Sequence, residues 1–236
     1  MVTVYTAIGS FDTRIINTKS GEPVKVPIVR AMGNEYLLSE DELILWSTLA
    51  WKFMLRDDLI REFNAKRAEA HIFSDVSPER IISVLEERGL VASGTDITFP
   101  DAMYNLLATL QPKPLKISFF AKLTAAFHLV IVKKMPLKIA FNSLRRSGKF
   151  KGDKNIIMQL INRFELTTAE IIKCFDENHV YIKNDDELVD VLSQGDAIAD
   201  SIPIEMRFSD ARESIVLDIS ELYESRKIIL ENLPLV

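Results

Sequence analysis

Residues 77–99 read SPERIISVLEERGLVASGTDITF, and the predicted fold depends mainly on this segment. Ser77 is a favourable N-cap, and Pro78 suits the first helical position because its missing N–H would have no helical partner there. Gly89 is a typical helix stop, and the apolar residues before it recur at helical spacing: Ile81, Ile82 and Leu85. Two β-favouring runs flank residues 93–96, so we expect this helix to be followed by a small β-hairpin.

The sequence before residue 77 predicts two further helices. Ser39 precedes Glu42 by three positions, the spacing at which the two residues satisfy each other's free backbone amides at a helix start. Apolar residues continue at helical spacing after this cap. We therefore expect one helix over residues 40–53 and a second over residues 56–65.

Three helices and a hairpin over residues 39–99 form a pattern that resembles the winged helix-turn-helix superfamily. The resemblance covers about 60 residues and rests on the order of the elements. It implies that the third helix is the one that enters the major groove of DNA. With its apolar residues turned inward, this helix presents Arg80, which could read a guanine edge, and Ser83, which could contact a base or a phosphate.

The second half of the chain repeats this pattern in outline. Three helices are expected there, over residues 154–165, 168–177 and 185–194. Their starts carry the same cap-plus-acid spacing, at Thr167 with Glu170 and at Asn184 with Glu187. Residues 202–208 would supply a second wing, and residues 209–230 a closing helix.

These elements predict a mainly α protein with small β elements, built as two winged-helix-like units joined by a basic helical connector. Residues 1–112 would form an N-terminal β-hairpin and the first winged-helix-like domain. Residues 113–154 would form the connector, and residues 155–236 a second, acidic winged-helix-like domain.

Charge is distributed unevenly among these three parts. They carry 11, 11 and 7 basic residues against 16, 1 and 17 acidic residues, which gives net charges of −5, +10 and −10. The connector could neutralise nucleic-acid phosphates, or it could pair with the acidic C-terminal third, and the sequence leaves both open. The expected DNA contacts are two residues of the third helix and six of the connector: Arg80, Ser83, Lys133, Lys134, Arg145, Arg146, Lys149 and Lys151.

Residues 115–132 are apolar on nearly every side, which is typical of a buried helix. This stretch is expected to be a central helix between the domains or a helix that forms a homodimer. Its longest run without Lys, Arg, Asp or Glu, residues 123–132, is shorter than the roughly 20 residues that span a bilayer, so no membrane association is expected. The N-terminus lacks the pattern of a secretory signal, and the single cysteine, Cys174, suits a reducing compartment, so a cytoplasmic location is predicted.

Catalytic motifs are missing from the sequence. It contains no glycine-rich phosphate loop, no zinc-binding H-E-x-x-H and no nucleophile elbow, and its three histidines are far apart. We therefore expect a protein that is not an enzyme and that needs no metal or cofactor.

Two functions remain open. The first is a DNA-binding regulatory protein of the winged-helix type, favoured by the basic connector, although acidic residues on the third helix would repel phosphates. The second is a protein- or peptide-binding interaction module without DNA binding. Residues 14–29 predict a hairpin and residues 35–38 a further strand, and this order before three helices is similar to peptide-recognition elements of peptide-modifying pathways. The strand at residues 24–29 could accept an added peptide strand, but Pro23 and Pro27 argue against it.

Overall fold

The computed structural model describes residues 1–17, 23–115, 152–193 and 201–233. Over these residues the chain is a mixed α/β protein with three antiparallel sheets. The predicted class, mainly α with small β elements in two winged-helix-like units, is therefore wrong. The reason is that several strands pair across long sequence distances, where sequence periodicity gives no signal.

The first sheet is a meander of three strands: β2 (Ser10–Asn17), β3 (Pro23–Ala31) and β4 (Asn34–Leu37). β3 lies between the other two, with Val29 paired to Phe11 on one side and to Tyr36 on the other. The predicted hairpin and the predicted short strand are both confirmed. Met32 and Gly33 have positive φ, the backbone conformation that a two-residue hairpin turn requires.

A second sheet places the N-terminal strand at its centre. β1 (Val2–Ala7) pairs with both β5 (Met54–Leu55) and β6 (Val91–Asp96). Val4 and Thr6 in β1 are fully buried, so this strand forms part of the core. A short apolar segment at a chain terminus offers little periodicity, and the strand was not among the predicted elements.

The three predicted helices of the first unit are present as α1 (Glu40–Leu49), α2 (Arg56–Glu69) and α3 (Pro78–Glu87). Ser39 and Glu42 form the predicted capping box, and Ser77 caps α3. α1 ends four residues earlier than expected because Trp51 has a φ of 65° and the chain then enters β5.

The predicted hairpin after α3 is wrong. Its first half is the single continuous strand β6, and the chain then forms α4 (Phe99–Leu107), which Thr98 caps by accepting the Asp101 N–H. Gly94 is a packing residue here and not a turn residue. A Cβ at this position would lie 2.3 Å from the Ala102 carbonyl oxygen and 2.4 Å from the Leu106 nitrogen. Only glycine lets α4 lie this close to the strand.

The C-terminal half is mostly helical. Its elements are α5 (Asp153–Arg163), α6 (Thr168–Asp176), α7 (Asp185–Ser193), α8 (Ile202–Glu205), a 3₁₀ turn (Met206–Phe208) and α9 (Arg212–Glu224). The capping box at Thr167 and Glu170 is confirmed. Residues 202–208 are helical, so they do not form the predicted second wing.

The two halves share a two-stranded sheet and one core. β7 (Gln111–Pro114) pairs with β8 (Ile228–Glu231), and Leu230 also accepts the Gly9 N–H at 2.9 Å. Buried residues from β1 to β8 form one continuous apolar cluster. Within the described residues, the second half has no sheet of its own.

The predicted central or dimer-forming helix at residues 115–132 lies outside the described residues, apart from Leu115. The Leu115 N–H donates to the Lys227 carbonyl at 2.9 Å, which continues the β7–β8 pairing. None of the described helices is long and apolar enough to cross a membrane.

Candidate functional site

Two of the predicted DNA contacts, Arg80 and Ser83, lie on α3 as expected. The Arg80 side chain is exposed, and the Ser83 hydroxyl donates to Glu87 at 3.4 Å. The other predicted contacts, Lys133, Lys134, Arg145, Arg146, Lys149 and Lys151, lie outside the described residues. Of the eight predicted contacts, the described residues therefore include only the two on α3.

The outward face of α3 is acidic and is tied to the rest of the protein. Glu79 forms an ion pair with Arg56 at 3.5 Å, and Glu86 accepts the Ser93 hydroxyl at 2.6 Å. These contacts hold carboxylates on the surface that would face DNA phosphates. A recognition helix of this kind would meet electrostatic repulsion at the DNA backbone.

Two basic residues of the predicted connector are described, and both pair with the acidic C-terminal region. Lys113 lies 3.0 Å from Glu231, and Lys154 lies 3.3 Å from Asp218 and also contacts Glu221. The hydrogen bond to Glu221 raises the pKa of Lys154. For these two residues, the structure shows ion pairs with acidic residues of the C-terminal third, which is one of the two alternatives that the sequence leaves open.

The strand proposed to accept a peptide is the central strand of its sheet. β2 pairs with β3 along its length, and β4 pairs with residues 28–31 of β3. The remaining free edge of β3 includes Pro27, whose backbone position faces that edge in the alternating antiparallel ladder. Because proline has no N–H to donate, this edge is poorly suited to strand addition.

An apolar groove of about 420 Å³ lies between α4 and α9. Its apolar walls include Phe53, Phe99, Met103, Val216 and Leu217. Phe99 is 48% exposed and Leu217 is 58% exposed. The groove therefore presents large apolar side chains to solvent.

α9 is fixed in place through Tyr223. Its buried hydroxyl donates to the Ala7 carbonyl at 3.0 Å and accepts the Trp51 N–H at 3.2 Å. Its ring lies against Trp51 and Phe53, with centroid distances of 5.4 and 5.2 Å. Burial raises the pKa of Tyr223, so the hydroxyl keeps its proton at neutral pH. These contacts set the position of Phe53 and therefore one end of the groove.

α4 is fixed against the C-terminal helices by Tyr104 and Asp101. The Tyr104 hydroxyl donates to the Pro203 carbonyl at 2.5 Å, and burial raises its pKa to about 12. Arg212 lies 5.6 Å above the Tyr104 ring and 2.9 Å from Asp101. The hydrogen bond from Thr98, together with Arg212, lowers the pKa of Asp101. The groove walls are thus held by several independent contacts.

The rim of the groove is acidic. Glu213, Glu221 and Glu224 border it on the α9 side. An adjoining hollow of about 360 Å³ shares Phe53, Phe99 and Glu224 with the groove. Its other charged lining residues are Lys52, Asp58, Arg61 and Glu62. The two hollows therefore form one continuous surface, and Glu224 lies at their junction.

Metal-ligating clusters and the single cysteine are the remaining candidates for a chemical role. Among residues 1–17, 23–115, 152–193 and 201–233, no cluster of three or more His, Cys, Asp or Glu could hold a metal ion. Burial raises the pKa of Cys174 to about 12, so its thiol is protonated at neutral pH. A buried, protonated thiol is a poor nucleophile.

Comparison of this chain with protein-family models, with curated proteins and with solved structures finds no match.

Proposed function

We propose that this protein is an interaction module that binds a segment of another protein in the groove between α4 and α9. The observation that carries the proposal is the exposure of Phe99 and Leu217 on the walls of a formed apolar groove. Apolar surface of this kind, bordered by charged residues, is typical of interaction sites.

Preorganisation supports this proposal. Tyr223 fixes α9, and Tyr104 with Arg212 fixes α4 relative to α9, so the groove walls are already in place in the unbound chain. A partner would lose little free energy in ordering this surface and would gain from covering Phe99 and Leu217. Central apolar contacts with a charged rim are the usual arrangement of a binding hot spot.

Binding of duplex DNA is the second candidate function, and the net charge of +10 over residues 113–154 favours it. In that case the connector would supply the attraction, because the outward face of α3 is acidic. The proposed setting for either function is the cytoplasm, where Cys174 would stay reduced.

A peptide library displayed on phage tests the interaction module directly. The full chain is the bait, and each enriched peptide is then measured against two variants. Leu217→Asp places a charge in the groove, and Val189→Asp makes the same change at a comparably exposed position of α7, where Val189 is 62% exposed. We expect peptides that bind the wild type and Val189→Asp but bind Leu217→Asp at least tenfold more weakly, about 1.4 kcal/mol.

Failure of the selection, or peptides that bind both variants equally, would overturn the proposed site.

Fluorescence anisotropy with a random duplex at two salt concentrations tests the second candidate. Binding that weakens steeply as salt rises would support phosphate contacts. No binding at low salt would remove DNA as a partner.

A further inference from the structure

We propose that the segment bound in the groove is a basic amphipathic helix, with a Lys or Arg that meets Glu224 and apolar side chains that cover Phe99 and Leu217. The inference rests on the proposed function, because it names the chemistry of the partner at that same groove. Three features of the described residues carry it: the charge of the rim, the position of Glu224 on α9 and the helical walls.

The cations around the groove already have partners within the chain. Arg212 pairs with Asp101 at 2.9 Å, and Lys52 pairs with Glu62 at 3.0 Å. Arg61 contacts Asp58. These three cations line the continuous surface together with five anions: Asp58, Glu62, Glu213, Glu221 and Glu224. The lining therefore has a net charge of −2, which favours a cationic partner.

Glu224 is the least neutralised of these anions. Glu221 contacts Lys154, and Glu213 lies 3.6 Å from Arg212. No ion pair of Glu224 is present among the described residues, and its side chain is exposed. A cation brought by a partner can therefore reach it without displacing any cation of residues 1–17, 23–115, 152–193 or 201–233.

The position of Glu224 on α9 makes this charge unfavourable for the helix itself. Glu221 and Glu224 lie in the last turn of α9, which contains no basic residue. The helix dipole places partial negative charge at this end, where acidic side chains are destabilising and cations are stabilising. Local rules of this kind are most often broken at functional sites. A bound cation would relieve the repulsion.

A helical partner fits the walls of the groove. α4 and α9 contain nine and thirteen residues, and the nine residues of α4 correspond to a length of about 13 Å. A third helix lying along them would present apolar residues at i, i+3, i+4 and i+7, the pattern by which amphipathic helices occupy grooves. Its outer edge would then face the acidic rim.

Two synthetic 18-residue helical peptides with Leu at the same apolar positions test the inference. The Leu/Lys peptide has Lys at its polar positions, and the Leu/Glu peptide has Glu there. Each is labelled and titrated with the full chain in fluorescence anisotropy. We expect the Leu/Lys peptide to bind more tightly than the Leu/Glu peptide. High salt should reduce this preference, because it screens exposed charges.

Charge reversal identifies the contact. Glu224→Lys should weaken binding of the Leu/Lys peptide about fivefold, an effect on the scale of an exposed charge pair. Glu69→Lys makes the same change in the last turn of α2, at an exposed residue away from the groove, and should leave the affinity nearly unchanged. Equal losses in both variants would mean attraction to overall negative charge and would overturn the contact at Glu224.

The two proposals fail in different ways. If both peptides bind equally and Leu217→Asp abolishes both, the groove is a binding site but its partner is not basic. If Leu217→Asp affects the binding of neither peptide, the groove is not the binding site. The Leu/Lys preference with a selective loss in Glu224→Lys supports both.

Photocrosslinking identifies the occupant. Benzoylphenylalanine is placed at position 217 of the full chain, and crosslinked products are mapped by mass spectrometry. A link to the added Leu/Lys peptide supports a partner in trans. A link to a second copy of the chain, or to residues 116–151 of the same chain, would overturn it by showing a different occupant.

Discussion

The outward face of α3 and the groove between α4 and α9 are both exposed surfaces next to a helix, but they differ in what they leave unsatisfied. On α3, Glu79 and Glu86 have partners within the chain. In the groove, Phe99 and Leu217 remain in solvent, and Glu224 lies at the wrong end of its helix dipole. The resemblance to a DNA-binding arrangement indicates the outward face of α3 as the functional surface, whereas exposed apolar area indicates the groove between α4 and α9.

The largest expected effect comes from separating α4 from β6. Gly94→Ala would place a methyl group 2.3 Å from the Ala102 carbonyl oxygen, so α4 would have to move. We expect a loss of about 3 kcal/mol in the free energy of unfolding, at the upper end for an overpacked core. Urea denaturation followed by circular dichroism measures it.

Ser93→Ala, at the preceding and exposed position, is the control for this change. It removes one hydrogen bond to Glu86 and should cost about 1 kcal/mol or less. If Gly94→Ala were as mild as Ser93→Ala, the close contact between α4 and β6 would be contradicted.

The next effect concerns the contact that fixes α9. Tyr223→Phe removes the hydroxyl that donates to Ala7 and accepts the Trp51 N–H, so the buried Ala7 carbonyl and the partly buried Trp51 N–H both lose this partner. We expect a loss of about 1 to 2 kcal/mol in the free energy of unfolding. Weaker binding of groove peptides should accompany it, because Phe53 and α9 lose their common support. Unchanged stability would show that Tyr223 does not fix the groove.

A smaller effect should appear as a dependence on pH. The hydrogen bond from Thr98 and the charge of Arg212 lower the pKa of Asp101 in the folded chain. This contribution to stability is therefore present above the unfolded pKa of about 4 and is lost as the pH falls through the folded pKa. Wild type should have a higher urea midpoint than Asp101→Asn at pH 7, and the difference should shrink below about pH 4. A constant difference would contradict the ion pair between α4 and α9.

The smallest effect is expected on α3. Arg80 is exposed and has no ion pair among the described residues, so Arg80→Ala should change the free energy of unfolding by less than about 0.5 kcal/mol. It should leave the affinity of groove peptides unchanged. If peptide binding fell with Arg80→Ala, the interaction surface would include α3 as well as the groove.

Local signals in the sequence predicted most of the helices. Ser39 with Glu42, Ser77 with Pro78, and Thr167 with Glu170 all mark helix starts where they were expected. The same signal was present at Thr98 with Asp101, but the β-favouring residues around it directed the prediction to a hairpin. The capping residues were the better indicator there: Thr98 caps α4, and Gly94 lets this helix pack closely against β6.

Pairing between distant segments could not be predicted in this way. β1 pairs with β6 about 90 residues later, and β7 pairs with β8 more than 110 residues later. Nothing in the hydrophobic pattern of either strand specifies such a partner. The same limit applies to the groove, because Phe53, Phe99 and Leu217 come from three separate parts of the chain.

Hydrogen–deuterium exchange with and without the Leu/Lys peptide tests most directly the claim that the groove, and not α3, is the binding surface. We expect slower exchange in residues 99–107 and 212–224 and unchanged exchange in residues 78–87. Slower exchange in residues 78–87, with no change in α4 and α9, would contradict it.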